Sequence, residues 1–477
     1  MNKIDKKQLS FIHLLLPILF LLTLIVYGLI LQPRVFGKPA FPLEVVFLLA
    51  TVFSSAHLLI LGFTWEGIQK AIVAKLSKGF PAILILFAIG IIIGTWIVSG
   101  TIPLLIYYGI KLIDPDYMYI LAFIIPIIFS MLTGTSWGSV GTIGTVIIGV
   151  AASVNAHLGI TAGAIIGGAY FGDKMSPLSD TTNLAALAVD IGLYDHIRSM
   201  MYTTIPSAII ASILFFVLGF IYPPVANDTT GTQISETLIA IEAMFSLNVL
   251  LLIPPLIVLY GSLKRMATLP TLLASSIVAC ILALIFQDFG ITGIMATLKG
   301  GFDTDMAVWV NTVPERLSVL FNRGGLFELN EVIVFSLMAL TFIGTLDVTN
   351  AMPRIVGKVF SFTKTKAAVI LSSMVATAFT NSMTSNQSAT SFIVGDAFKH
   401  RYDQFKISRR VLSRSIEDYG TMIESIIPWH ATSLFMVATL GVSFEDYWHW
   451  QLLSLINIVV APLLAILGIG CFYKKKS

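Results

Sequence analysis

Two strings of the sequence combine carboxylates, hydroxyls and helix breakers inside otherwise apolar stretches. Residues 172–183 read GDKMSPLSDTTN, and residues 415–424 read SIEDYGTMIE. Asp173 precedes Asp180 by seven residues, Glu417 precedes Glu424 by the same seven, and the two pairs are related by an offset of 244. Seven residues is about two helical turns, so on an unbroken helix each pair would share a face. Pro177 and Gly420 fall between the paired acids; one lacks a backbone donor and the other weakens a helix. Local unwinding there would bare carbonyl oxygens beside Asp173, Asp180, Glu417, Asp418 and Glu424 and beside Thr181, Thr182 and Asn183. Such an oxygen set suits a partly dehydrated hard cation such as sodium. A carboxylate takes either the ion or a proton, so competition for one set of oxygens is the simplest chemistry for exchanging the two. Asp180 and Glu424 are the foremost ligands for sodium, followed by Asp173 and Glu417.

A second group of polar residues interrupts two other apolar segments. Thr133, Thr135, Ser136 and Ser139 surround glycines, and Asn381, Ser382, Thr384, Ser385, Asn386, Gln387 and Ser388 form a polar centre. Non-helical backbone at membrane depth must be buried in protein or line a cavity. Thr135, Ser136, Asn381, Ser382 and Asn386 are therefore candidate ion or substrate contacts, while Gly138, Gly141 and Gly144 provide helix packing. Lys174 is expected to neutralise one neighbouring Asp, and Asp418 to face Arg414 four residues earlier. Asp347 and Asp396 read as residues of the inner interface. His430 has two readings, a proton carrier or a hydrogen-bonded packing residue. Cys280 and Cys471 read as small apolar residues with neither metal nor disulfide spacing.

The elements that must hold these groups follow from composition. Of 477 residues, 56% are hydrophobic and only 12% are charged, whereas soluble chains are about a quarter charged. That excludes an ordinary soluble enzyme, and a net charge of +3 excludes a nucleic-acid binder. No nucleotide loop, metal-His cluster or Ser/His/Asp order points to an enzyme, and no cofactor is implied. An all-α polytopic membrane protein remains. Spans of roughly 20 apolar residues fall at 11–31, 43–61, 80–98, 199–221, 246–263, 268–286, 331–349 and 449–472. Segments 157–189 and 408–441 read as broken spanning helices, and 118–155 and 367–399 as re-entrant hairpins, about ten crossings in all. With both termini inside, 22 of the 29 Lys and Arg residues fall on inner segments, as the positive-inside rule requires. The basic stretch 65–78 is expected to lie on the inner membrane surface.

An internal repeat organises the spans. IGTWIVSGTIP at 93–103 and IGTLDVTNAMP at 343–353 match at an offset of 250. The same order of elements follows each copy: a span, a short segment, a hairpin, a broken helix and a closing span. Five crossings per copy would insert the second upside down, giving inverted repeats over 1–245 and 246–477. That architecture is common among secondary transporters and points to alternating access.

Three of these strings carry a resemblance. GGAYFGDKMSPLSDTTNLA at 167–185, GTSWGSVGTIG at 134–144 and RSIEDYGTMIESIIPWH at 414–430 resemble the NhaC family of bacterial sodium/proton antiporters. The resemblance implies the ion transporter superfamily, residence in the bacterial inner membrane, and a homodimer formed through a scaffold portion. Some proteins resembling the family exchange malate and lactate together with protons and sodium. An exchanger of small organic acids is therefore the alternative reading. Against it, intramembrane acids outnumber bases. A channel or membrane enzyme fits the hairpin-plus-broken-helix pattern less well.

Overall fold

The computed structural model describes residues 9–112, 114–224, 230–264, 266–310, 313–359 and 363–473. Within them the secondary structure is helical throughout, without a strand. Nine helices are long and apolar enough to cross a membrane, and up to eleven if each of two bent pairs is one span. Three of the nine, Pro115–Thr133, Ser136–Ser153 and Lys366–Thr384, are arms read from the sequence as hairpins, and the two broken helices counted among the ten expected crossings are not in the nine. The terminal lysines used to orient the chain lie outside the described residues.

Side-chain placement shows why a bilayer is the solvent. Helix Leu193–Ile221 exposes Ile209, Ile213, Phe216 and Phe220, residues three and four apart that form one stripe. Its opposite face buries Thr203, Ser207 and Ala211. Apolar side chains outward and hydroxyls inward is the reverse of a soluble helix, and it fits lipid outside with a polar core inside.

Both broken helices are observed. Helix Leu158–Met175 stops, residues 176–179 are unwound, and Asp180–Ala188 resumes. Helix Arg409–Asp418 gives way to a 3-10 turn at Thr421–Ile426, followed by helix Ala431–Leu440. The first hairpin pairs Met118–Thr133 with a second arm that begins at Ser136 and runs to Ser153 through a π-helical turn. The second pairs Lys366–Thr384 with Gln387–Gln404. Leu158–Met175 is buried along nearly its whole length and lies directly on the first hairpin. A Cβ on Gly168 would stand 2.2 Å from the Phe123 carbonyl oxygen, so only glycine permits this approach. Gly141 and Gly144 likewise face Ile89 and Ile165, as the packing role read from their spacing requires.

Three expectations change. The basic stretch 65–78 is not a separate surface helix but the first part of the 34-residue helix Trp65–Val98, and its Lys75 pairs with Asp347 at 3.1 Å. The span expected at 246–263 is a short 3-10 turn and helix, bent 96° from the preceding helix; Asn248 caps the Leu250 N–H at that corner and starts a new helix there. The closing span at 449–472 narrows to Leu452–Leu467 and is bent 47° from Phe444–Trp450.

Candidate functional site

The two hairpin tips are built alike. Each first arm ends on a left-handed residue, Gly134 (φ 70°) and Ser385 (φ 45°). The next residue then caps the second arm through its side chain: Thr135 accepts from the Gly138 N–H at 3.2 Å, and Asn386 from the Ala389 N–H at 2.8 Å. Across each tip two hydroxyls meet at 3.1 Å, Thr133 with Ser139 and Thr384 with Thr390. Corresponding positions of the two tips are 251 residues apart.

Each tip touches a broken helix. Ser136 Oγ donates to Asp173 Oδ2 at 2.7 Å, and Asp173 Oδ1 is buried without a hydrogen-bond partner among the described residues. Asn381 Nδ2 donates to Glu424 Oε1 at 3.3 Å, and Thr432 Oγ1 to Oε2 at 2.8 Å. Gln387 Nε2 donates to the Ile416 carbonyl at 3.1 Å and reaches Glu417 Oε1 at 3.5 Å. This contact explains Gly420: a Cβ there would lie 2.1 Å from Gln387 Oε1.

Between the tips lies a cavity of about 550 Å³. Asp173, Asp180 and Glu424 line it, with Thr135, Ser136 and Asn386. Its described lining contains no Lys or Arg. Asp180, the first residue of its helix, is exposed. The cavity reaches Leu193, Met266 and Thr268 near helix ends.

Other candidates fall around this site in different ways. Thr182 donates to the carbonyls of Asp173 and Lys174, and Asn183 to those of Pro177 and Ser179. These two side chains take up the oxygens that unwinding was expected to bare, while Thr181 meets Ser179. Ser382 donates back to the Ala378 carbonyl, one turn earlier on its own helix. Glu417 and Asp418 are fully buried outside the cavity lining.

Lys174 does not neutralise a neighbouring Asp. It reaches across to the second broken helix, where its ammonium donates to the Glu417 carbonyl and pairs with the Glu417 carboxylate at 3.7 Å. Nor does Arg414 pair with Asp418. The guanidinium donates to the carbonyls of Ser199 and Gly470, and Asp418 Oδ1 accepts from Thr203 and Asn457, each at 3.1 Å. A neutral hydroxyl and amide satisfy that oxygen, and the arginine closes two chain segments instead. His430 caps its helix, Nδ1 accepting from the Thr432 N–H at 3.1 Å, with Nε2 4.0 Å from Glu424 Oε1. The cap makes Nδ1 the acceptor and leaves the ring proton on Nε2, facing the carboxylate.

Sequence reasoning missed Thr432 and Asn457. Asn457 had a visible signal, an amide inside an apolar span. Thr432 had none beyond its place just after Pro428, Trp429 and His430.

Residues 168–469 match the Na+/H+ antiporter family. The chain is 38% identical over 460 residues to a Haemophilus influenzae protein named an uncharacterized Na+/H+ antiporter, covering 96% of each. It is 34% identical to the Na+/H+ antiporter NhaC of Bacillus subtilis, over 99% of this chain and 100% of that one. A third relative, also from Bacillus subtilis, is named a malate-2H+/Na+-lactate antiporter; it is 33% identical over 87% of each chain.

Proposed function

Because this chain belongs to the Na+/H+ antiporter family, we propose that it exchanges sodium ions for protons across the bacterial inner membrane by alternating access. The observation that carries this reading is the cavity, where three carboxylates meet hydroxyl and amide groups without a Lys or Arg in the described lining. In it, Asp173, Asp180 and Glu424 bind sodium or protons in turn. Ser136 orients Asp173, while Asn381 and Thr432 orient Glu424. A carboxylate that has lost its ion in this setting is an uncompensated negative charge at membrane depth, and a proton relieves it.

The same reading takes 1–245 and 246–477 as inverted repeats. Its support is local: besides the matched tips, the repeated strings at 93–103 and 343–353 both break at a left-handed residue, Gly100 (φ 84°) and Asn350 (φ 50°), 250 apart. With both termini cytoplasmic, the cavity mouth at Leu193, Met266 and Thr268 is on the inner side.

A second reading, exchange of a small organic acid along with sodium, draws on the cavity volume of about 550 Å³, far more than an ion requires. The acidic lining sets the order of the two readings. Reconstituted vesicles decide between them, with internal pH followed while sodium, lithium, potassium, malate and lactate are added in turn. Proton flow driven by sodium alone is expected. Flow that requires malate or lactate would transfer the conclusion to the second reading, and flow with none of them would sink both.

A further inference from the structure

Lys174 and Glu417 have no role in the exchange described so far, and the inference drawn from them rests on that exchange reading. Positions in the two hairpins match at an offset of 251, and positions in the two broken helices at 244. By those offsets Gln387 is the counterpart of Ser136, and Glu417 the counterpart of Asp173. The contacts agree: Ser136 holds Asp173 at 2.7 Å, and Gln387 reaches Glu417 at 3.5 Å.

The two matched carboxylates differ in what stands beside them. Each keeps one buried oxygen without a hydrogen bond among the described residues, Asp173 Oδ1 and Glu417 Oε2, but Asp173 lines the cavity. Glu417 is fully buried, and the Lys174 ammonium stands 3.7 Å from its Oε2 while donating to its backbone carbonyl. The ammonium thus sits against one carboxylate and one carbonyl oxygen, oxygens of the kind that also bind a hard cation. The residue matched to Lys174 is Asp418, which accepts from Thr203 and Asn457. The second broken helix has no lysine at this position, its own buried Arg414 turns to the Ser199 and Gly470 carbonyls, and Glu417 receives its cation from the first. Stability alone does not account for the pair, because a buried ion pair contributes little beyond well-packed apolar side chains.

We propose that Lys174 is a resident cation, occupying beside Glu417 the place that a sodium ion takes beside Asp173, and thereby limiting how many cations the protein carries per cycle. Lys174 is a positioning residue here: it touches no transported ion, and it acts by keeping Glu417 out of the exchange.

The experiment measures coupling, which a purely structural role would not move. Full-length protein is reconstituted with a fixed pH difference, and the sodium gradient is varied until proton flow stops. K174Q is expected to shift that reversal point and to raise the Hill coefficient for sodium by about one, because a second site opens. K174Q/E417Q, which removes both charges together, is expected to exchange with the reversal point of the unsubstituted protein. An active K174Q with an unchanged reversal point and Hill coefficient would overturn the proposal. So would a folded double variant that does not exchange. If K174Q is inactive or fails to fold, the double variant alone decides. Absence of sodium-driven proton flow in the unsubstituted protein would instead defeat the exchange reading.

Discussion

The first broken helix unwinds over four residues, and its loosened carbonyls are gathered up by Thr182 and Asn183. The second unwinds at Gly420 into a 3-10 turn, where Ser433 of its own last helix takes the Glu424 carbonyl, while Gln387 takes that of Ile416 and Lys174 that of Glu417. The first break is stitched mostly from within, with Ser176 tied to Met131 of the hairpin, and the second draws more on other segments. Their charges divide in the same way. The first contains Asp173, Lys174 and Asp180, whereas the second contains Glu417, Asp418 and Glu424, and its buried arginine, Arg414, turns to the carbonyls of Ser199 and Gly470 rather than to these acids. A surplus of buried negative charge must be met by donors or cations brought in from other segments. The difference teaches that matched positions in a repeat need not do matched work.

Charge removal at the cavity is the strongest way to test this division. Asp173→Asn and Glu424→Gln are each expected to lower sodium-driven proton flux by about a hundredfold or more, equivalent to roughly 3 kcal/mol, in vesicles containing folded protein. Full flux in either variant would strike that carboxylate from the exchanging set.

The breaks themselves come next. Gly420 and Ser176 occupy matched positions, 244 apart. Gly420→Ala forces a Cβ to within 2.1 Å of Gln387 Oε1 and 2.3 Å of the Ile416 carbonyl oxygen, an overpacking expected to destabilise by about 1–3 kcal/mol. Ser176→Ala loses only the hydroxyl bonds to the Met131 carbonyl and the Leu178 N–H, expected to cost about 1 kcal/mol. Thermal unfolding in detergent orders the two, and equal losses would show that the breaks are supported alike.

The donors to the carboxylates follow. Ser136→Ala and Thr432→Val each remove one hydrogen bond to a carboxylate, at 2.7 and 2.8 Å. Both are expected to change the apparent affinity for sodium by about tenfold, in keeping with roughly 1.5 kcal/mol for a bond to a charged group. If only one of them matters, the ion rests on one side of the cavity. The smallest effect on transport is expected from Asn457→Ala, which takes a donor from Asp418. Stability should fall by about 1–2 kcal/mol while the sodium dependence of transport stays the same, and a changed sodium dependence would bring Asp418 into the exchange.

The charge pattern and apolar runs made the broken helices and hairpins legible, because Pro177, Gly420 and the polar tips stand out against so much apolar sequence. The bends near residues 245–248 and 451 were not legible, since an apolar run reads the same whether straight or folded. Among the acids, residue type and spacing put Asp180 and Glu424 before Asp173 and Glu417; packing places Asp173 and Glu424 against hairpin residues, leaves Asp180 exposed and buries Glu417 beside Lys174. The partner of Lys174 was out of reach. Nearness in sequence favoured the adjacent Asp, but side chains one residue apart on a helix point in different directions. The true partner lies 243 residues away, and only packing brings it close.

Trp137 follows Ser136 at the first hairpin tip, and its ring is stacked on Phe435 of helix Ala431–Leu440 with centroids 4.5 Å apart and planes 9° from parallel. An indole's emission responds to nearby charge and to the ring pressed against it. If Asp173, held by the neighbouring Ser136, takes and gives up an ion as proposed, the emission of this tryptophan is expected to change with it. The molecule carries its own optical gauge at the contact between its first hairpin tip and the last helix of its second broken segment.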